Sequence, residues 1–198
     1  MNIGGFLRRN AVGLVLTTGA LVLIGLIISP VFLHARENAR RSNCMSNLKS
    51  IALASLMYQT DNNGLYPPLS DGGSQGWSLI LQKSVPTMPL NFSCPSTSPT
   101  SYSPTSDYFF NARLATRKEA SVQKTERTIS FGEGPDNGPT NSHYWELPND
   151  DENPDSAMLR HLRTSNYAFA DGHIKMLNPH GLRDELNDSI LFNLRKSK

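Results

Sequence analysis

The sequence has few cysteines and a long stretch without charge, and both features narrow the classes of protein that fit it. Only two of its 198 residues are cysteine, Cys44 and Cys94, which excludes a disulfide-dense small scaffold and a four-cysteine zinc site. Residues 10–35 contain no Lys, Arg, Asp or Glu, although the whole chain has 19 basic and 17 acidic residues. The small net charge of +2 excludes a strongly basic binding surface, so we expect no nucleic-acid partner.

Enzyme signatures are also missing from the sequence. It contains no GxSxG motif, no glycine-rich phosphate loop and no paired Cys–His nucleophile. Serine is plentiful, but much of it lies in residues 93–106, a Ser/Thr/Pro-rich stretch that predicts a loop. We therefore expect a protein that is not an enzyme and that needs no cofactor.

The uncharged stretch predicts a transmembrane helix over residues 11–32. As a helix these residues span about 33 Å, enough to cross a hydrocarbon core of about 30 Å. The alternative is a cleaved secretory signal, with Arg8 and Arg9 as its charged start. The apolar run is longer than the usual 7–15 residues, and no small-x-small cleavage site follows it. We therefore predict an uncleaved single-pass anchor, preceded by a short N-terminal segment of residues 1–10.

The helix is predicted to continue over residues 33–64. Pro30 predicts a kink within it, and the Asp61-Asn62-Asn63-Gly64 run is typical of a helix end. Apolar residues at 3-and-4 spacing predict one buried side: Met45, Leu48, Ala52 and Leu56.

Residues 65–198 predict an α+β domain of short elements. Residues 77–85 predict a short helix or strand, residues 108–110 and 128–131 predict strands, residues 132–156 predict a loop, and residues 181–198 predict a short helix.

The clearest local pattern is a β-hairpin over residues 166–177. Asp171-Gly172 predicts a two-residue turn in which both residues have positive φ. In that register Phe169 pairs with Ile174 and Tyr167 with Met176, so these four side chains form one apolar face.

Three segments together resemble a known family. They are residues 28–68, the Cys94-Pro95-Ser96 segment, and His161 followed, after nine intervening residues, by Asp171-Gly172. The chain is similar in these segments to prepilin-type proteins with an H-x9-DG processing-associated domain, relatives of the type II secretion pseudopilins. The resemblance implies a pilin-like fold, in which a long N-terminal helix lies half in the membrane and its outer half packs on a small antiparallel sheet.

The resemblance also implies a role and a location. Such subunits sit in the inner membrane with the N-terminus in the cytoplasm and the domain outside, periplasmic or extracellular. Their partners are the lipid bilayer and other pilin-like subunits or secretion-system components. A prepilin peptidase normally cuts after a glycine and before phenylalanine, which here corresponds to Gly5 and Phe6, and the new N-terminus is methylated.

The sequence departs from the family pattern at the processing site. Asn10 occupies the position of the usual glutamate, and counting back from Pro30 places Gly13 there instead. We therefore expect an intact N-terminus and keep two functional hypotheses. The first is a pseudopilin-like, non-enzymatic membrane subunit related to type II secretion or type IV pilus assembly. The second is a membrane-anchored extracytoplasmic binding module that does not polymerise.

Three groups of residues are candidates for chemistry. Cys44 and Cys94 are expected to form a disulfide outside the cytoplasm, although two free thiols are the alternative. His161, Asp171 and His173 fit a metal or acid–base group, but we expect Asp171 and Gly172 to serve the turn and His161 to bond the hairpin backbone. The acidic run formed by Asp150, Asp151, Glu152 and Asp155 is a weak calcium candidate that lacks EF-hand spacing, and Glu133 and Asp136 fit either a calcium site or a solvated loop.

Overall fold

The computed structural model describes residues 3–73, 75–97, 105–139 and 160–178. The chain divides into two compact units, Met1–Ala39 and Arg40–Lys198. The predicted transmembrane segment lies in the first unit, and the cysteines and the predicted hairpin lie in the second.

A single helix, α1 (Ile3–Asp61), begins in the first unit and ends in the second. In the first unit its large apolar side chains are exposed, from Val15 at 70% to Leu33 at 66%. Such a surface is stable only when an apolar medium covers it. α1 contains a segment long and apolar enough to cross a membrane, as predicted, and Pro30 lies inside the helix.

α1 ends where its sequence predicts. The Gly64 N–H donates to the Gln59 carbonyl (2.8 Å), and both Asn63 and Gly64 have positive φ, 54° and 76°. This left-handed end satisfies a carbonyl of the last helical turn.

The second unit contains a four-stranded antiparallel sheet with the strand order of the chain. The strands are β1 (Thr105–Phe110), β2 (Ile129–Pro139), β3 (Ser165–Phe169) and β4 (Ile174–Leu177). Within residues 77–85, for which the sequence predicts a helix or a strand, Trp77–Ser84 form the helix α2. The long helix and antiparallel sheet confirm the predicted α+β fold class.

One face of the sheet contributes to a core shared with α1 and α2. The core combines Leu48 and Ile51 of α1 with Trp77 of α2 and Phe110 and Phe131 of the strands. The Phe110 and Phe131 rings stack with centroids 4.9 Å apart. Burial of one such side chain contributes about 1.5–3 kcal/mol to stability.

The buried side of α1 differs slightly from the predicted one. Leu48 and Ala52 are buried as expected, whereas Met45 and Leu56 are only half-buried. Cys44 and Ile51 are fully buried instead. The buried stripe is therefore rotated toward these two residues, a shift of less than one helical turn.

The other face of the sheet depends on a glycine between two aromatic rings. Gly132 pairs with Phe109 on one side and Tyr167 on the other. A Cβ at Gly132 would lie 2.5 Å from the Phe109 ring and 2.8 Å from the Tyr167 ring. Only glycine allows the two rings to approach each other across β2 in this way.

The predicted loops over residues 93–106 and 132–156 were wrong where they meet the sheet. β1 begins at Thr105, and β2 continues to Pro139. The two strands pair as far as Thr105 with Pro139 and Ser106 with Gly138. Backbone pairing with a neighbouring strand here overrides the local turn propensity of the Gly/Pro/Asn-rich sequence.

The hairpin is present, but its predicted register was wrong by one residue. Ala168 pairs with Ile174 and Tyr167 with Lys175, so the connection has three residues, Ala170 to Gly172. Only Gly172 has positive φ, at 88°. A three-residue connection ending in a left-handed glycine is a common alternative to the two-residue turn.

The register changes which side chains share a face. Ala168 and Ile174 now contribute to the core beside α1. Phe169 lies on the opposite face, where its ring stacks on His173 with centroids 4.2 Å apart. The predicted apolar face of Phe169, Ile174, Tyr167 and Met176 is therefore split between the two sides.

Candidate functional site

A disulfide joins α1 to the segment between α2 and β1. Cys44 lies on the buried side of α1, and Cys94 follows α2, with 50 residues separating them in sequence. Their Cα atoms are 5.3 Å apart, and their exposed fractions are 0% and 2%. This is the pairing that the sequence analysis expected. A loop of this length contributes about 4 kcal/mol of stability in the chain-entropy model.

His161 approaches this disulfide from the turn before β3. Its backbone N–H donates to the Thr164 carbonyl (2.9 Å), and the Thr164 N–H donates back to its carbonyl (3.1 Å). The turn directs the imidazole inward, where the side chain is completely buried. There Nε2 lies 3.5 Å from Cys94 Sγ.

Glu133 of β2 is the acidic partner of His161. His161 Nε2–H donates to Glu133 Oε1 (3.1 Å), and the side chains of both residues have no exposed surface. Asn166 of β3 donates to both carboxylate oxygens, from its backbone N–H to Oε2 (3.1 Å) and from Nδ2–H to Oε1 (2.8 Å). A buried carboxylate needs such donors, because an unpaired buried charge costs several kcal/mol.

Cys44, Cys94, Glu133 and His161 together form a buried group, which we call the Cys–His–Glu cluster. One ligand-type atom of each residue lies within 4.8 Å of those of the others. The four residues come from α1, the segment after α2, strand β2 and the turn before β3. The fold, rather than a local sequence motif, therefore assembles the cluster.

Asp107 of β1 fixes the backbone that carries Cys94. Its Oδ2 accepts from the Cys94 N–H (2.7 Å) and from Thr97 Oγ1–H (2.6 Å). Arg160, next to His161, donates from its guanidinium to the Asp107 carbonyl (3.2 Å). Both Cys94 and His161 therefore lie beside polar groups that restrict their positions.

Tyr108 of β1 connects the cluster to α1 through its hydroxyl group. Its hydroxyl donates to the Cys44 carbonyl (3.4 Å), and Asn47 Nδ2–H donates to that hydroxyl (3.4 Å). Burial raises the Tyr108 pKa far above its usual value, and the nearby Glu133 charge acts in the same direction. The phenol therefore stays neutral and serves as a hydrogen-bonding group.

The three residues considered for a joint metal or acid–base group are not brought together. Asp171 and His173 pair at the hairpin tip, where His173 Nδ1 lies 2.7 Å from Asp171 Oδ1 and both side chains are partly exposed. His161 instead contacts Glu133 and Cys94. Asp171 also accepts from the His173 backbone N–H (3.1 Å), which is the turn role expected for it.

The structure describes some of the remaining predicted site residues and leaves others outside the described part of the chain. Gly5 and Phe6, the possible cleavage pair, lie in α1. Asp150, Asp151, Glu152 and Asp155 are outside the described residues, as is the predicted helix over residues 181–198. Glu133, considered for a calcium site or a solvated loop, is a buried strand residue instead.

The Cys–His–Glu cluster restricts the chemistry available to it. Cys44 and Cys94 are joined, so neither is a free nucleophile, and His161 and Glu133 expose no side-chain surface to a dissolved substrate. In the disulfide form the four residues provide a covalent link and a buried hydrogen-bonded pair. Sequence reasoning missed two contacts of the cluster: Asn166 binds Glu133, and Ser96 Oγ lies 3.5 Å from His161 Nδ1. Both are common polar residues whose role depends on a distant strand or turn.

Comparison with known proteins matches one part of the chain to a family model. A family model described as a protein of unknown function (DUF1559) matches residues 33–81. The matched segment holds Cys44 and ends in α2, so it covers less than half of the chain and does not reach Cys94, Glu133 or His161. No curated protein and no solved structure matches the chain.

Proposed function

We propose that this protein is a pseudopilin-like, non-enzymatic subunit with a single membrane span, related to type II secretion or type IV pilus assembly. The observation that carries the proposal is that the two parts of α1 differ in burial. Its N-terminal part exposes large apolar side chains, and its C-terminal part supplies the core of a small antiparallel sheet. A pilin-like subunit needs this combination, since one helix must serve both as the anchor and as the core of the domain.

The exposed apolar stretch of α1 supports a bilayer as one partner. The side chains from Val15 to Leu33 are uncovered within the first unit, and none of the apolar window is buried. In lipid the same surface is stable, because a helix pairs its interior backbone groups internally, apart from the one hydrogen bond that Pro30 cannot make. Other pilin-like subunits are the second proposed partner, through the same helix.

The disulfide supports an orientation with the domain outside the cytoplasm. Cys44 and Cys94 are joined within the second unit. Disulfides persist in oxidising compartments and are rare in the cytosol. We therefore propose a cytoplasmic-membrane protein with its N-terminus inside and its domain periplasmic or extracellular.

A binding module that is anchored but does not assemble is the second candidate. It is favoured by Asn10, which stands where pilin-like subunits have a glutamate, and by the adjacent Arg8 and Arg9. An arginine at the bilayer centre costs about 2.5–3.5 kcal/mol on insertion scales. Arg8 and Arg9 therefore oppose movement of the N-terminus into the apolar core of a filament.

Photo-crosslinking in native envelopes tests the two candidates. A photoreactive residue replaces Leu23, which is 62% exposed in the apolar part of α1, and a matched control replaces the exposed Gln123 of the domain. Crosslinks from position 23 to a second copy or to another pilin-like subunit support the proposed function. Crosslinks from position 23 to lipid alone contradict it and favour the binding module.

Mass spectrometry of the N-terminal peptide from the same envelopes shows whether the N-terminus is cleaved and methylated. We expect a peptide that begins at Met1 or Asn2, because Arg8 and Arg9 prefer the cytoplasmic lipid surface. A peptide that begins at methylated Phe6, with the subunit found in sheared filaments, would instead indicate ordinary prepilin processing.

A further inference from the structure

The Cys–His–Glu cluster has a ligand set that its disulfide form does not use. Two sulfurs, one imidazole nitrogen and one carboxylate oxygen lie within 4.8 Å of one another in the core. Thiolate, imidazole and carboxylate are the groups that bind Zn²⁺ in proteins, usually four at a time in a tetrahedron. We propose that the dithiol form of the chain binds one Zn²⁺ through Cys44, Cys94, His161 and Glu133.

Two of the distances between the ligand atoms are close to those of a tetrahedral zinc site. With Zn–S near 2.3 Å and Zn–N or Zn–O near 2.1 Å, the S···N edge is about 3.6 Å and the N···O edge about 3.4 Å. Cys94 Sγ lies 3.5 Å from His161 Nε2, which lies 3.1 Å from Glu133 Oε1. The other pairs of ligand atoms, which lie within 4.8 Å of one another, must reach about 3.4–3.6 Å, and the two sulfurs must separate to about 3.8 Å. Breaking the disulfide removes the bond that prevents this separation.

The contacts around the ligands are those that a zinc site needs. His161 presents Nε2 to the cluster, while Nδ1 lies 3.5 Å from Ser96 Oγ and can donate its proton there. A zinc-bound histidine generally donates its second ring N–H to such a partner, which fixes the tautomer. Asn166 holds the Glu133 carboxylate by two hydrogen bonds, so Oε1 is already oriented toward His161.

The charge and burial of the cluster favour a cation in the dithiol form. Two thiolates and one carboxylate beside a neutral imidazole carry −3, which Zn²⁺ reduces to −1, the same charge as in a Cys₃His zinc site. All four residues are at most 2% exposed. Because the ligands are thiolates, zinc binding releases the two thiol protons.

The conversion balances with a dithiol as the reductant. The reductant transfers two electrons and two protons to the Cys44–Cys94 disulfide, which gives two thiols and the disulfide of the reductant. Zn²⁺ then displaces the two thiol protons. Nε2 of His161 also gives up its proton, so that the neutral imidazole carries its one proton on Nδ1, and the metal accepts four ligands. In the disulfide form, the His161 Nε2–H bond to Glu133 occupies the position that the metal takes. The cluster thus has two alternative forms, one with the disulfide and one with zinc bound to the two thiolates.

Metal uptake by the full-length chain in detergent tests the proposal. The chain is reduced without oxygen, freed of reductant and given Zn²⁺ alone, and bound zinc is then counted by elemental analysis. We expect one zinc per reduced chain and none per oxidised chain. Replacement by Co²⁺ should give the intense visible bands of tetrahedral cobalt and a near-ultraviolet thiolate band, which report geometry without any mutation.

Substitution of single residues tests which side chains bind the zinc. His161→Gln and Glu133→Gln should lose stoichiometric zinc and the tetrahedral cobalt spectrum, and Ser96→Ala should weaken zinc binding about tenfold, as is typical for a partner of a ligand. The matched control is His173→Gln, because His173 is a partly exposed histidine that pairs with Asp171. It should bind zinc like the wild type.

Two results would overturn the proposal. One is reduced wild-type chain that takes up no zinc, or that gives an octahedral cobalt spectrum. The other is zinc uptake that is equal in the oxidised chain or unchanged in His161→Gln. Neither result bears on membrane anchoring or subunit assembly, which the crosslinking experiment tests separately.

Discussion

His161 Nε2 lies 3.1 Å from Glu133 Oε1, and neither side chain has any exposed surface. The pair connects the turn before β3 to the middle of the sheet. It also stands directly beside the disulfide, through the 3.5 Å contact of Cys94 Sγ with His161. A buried pair of this kind is costly to break, because the remaining partner keeps its unfavourable burial without its hydrogen bond.

Removal of the carboxylate should therefore destabilise the domain. In Glu133→Leu, His161 and both Asn166 donors lose their acceptor, and we expect the free energy of unfolding to fall by about 3 kcal/mol. Glu126→Leu, at an exposed position, should change it by less than about 0.5 kcal/mol. Urea unfolding in detergent, followed by tryptophan fluorescence, measures both. Equal effects of the two variants would contradict the importance of the pair.

The disulfide should be present in protein isolated from its native envelope. Thiol counting under denaturing, non-reducing conditions should find no free thiol. The double variant Cys44→Ser/Cys94→Ser should lose about 4 kcal/mol of stability, since the bond closes a loop of 50 residues. Two free thiols per chain in freshly isolated envelopes would show that the pairing is not the resident form.

Gly132→Ala should destabilise the sheet although it adds one methyl group. The new Cβ would lie 2.5 Å from the Phe109 ring and 2.8 Å from the Tyr167 ring, both of which are buried and cannot move freely. We expect a loss of about 1–3 kcal/mol, as for other overpacked cores. Gly73→Ala is the control, because Gly73 is exposed and its nearest neighbour is the Asp71 side chain at 3.3 Å. A near-neutral Gly132→Ala would mean that the rings relax.

The sequence predicted the features that depend on local or repetitive patterns. The apolar run, the helix end at Asn63 and Gly64, and the existence of the hairpin each follow from a short segment read alone. The register of the hairpin could not be predicted from its own sequence. Asp171-Gly172 fits both a two-residue and a three-residue connection, and contact with α1 decides between them by placing Ala168 and Ile174 in the core.

The Cys–His–Glu cluster was predictable only in part. A pairing of Cys44 with Cys94 could be expected from their number and from the compartment. The contact of His161 with Glu133 joins residues 28 positions apart through the pairing of β2 with β3. The Gly/Pro-rich sequence after Phe131 predicts a loop, and nothing in that local pattern places Glu133 in a buried strand.

Gly172 should be more sensitive to substitution than another glycine of similar conformation. Gly172 and Gly64 have φ of 88° and 76°, so an alanine at either position is strained by about 1 kcal/mol. A Cβ at Gly172 would also lie 2.9 Å from Leu56 Cδ1 of α1, whereas nothing lies within 4 Å of one at Gly64. Urea unfolding should therefore show a larger loss for Gly172→Ala than for Gly64→Ala. Equal losses would mean that Leu56 moves away without cost.

Stability should fall at alkaline pH because of three buried tyrosines. Burial raises the pKa of Tyr66, Tyr108 and Tyr167 far above the ordinary value of 10.0, with nearby acidic groups acting in the same direction. The unfolded chain therefore loses these protons first. The stabilisation is complete below pH 10 and decreases as pH rises above it, by up to ~1.4 kcal/mol per pH unit for each phenol.

Phenolate absorbance at alkaline pH measures this effect directly. We expect these three tyrosines to ionise only together with the loss of the near-ultraviolet circular dichroism of the folded domain. Tyr167→Phe should remove one late-ionising phenol and make the decrease of stability with pH less steep, since phenylalanine keeps the buried ring but has no proton to lose. Ionisation of all the tyrosines near pH 10, with the folded spectrum retained, would contradict the burial of these hydroxyl groups.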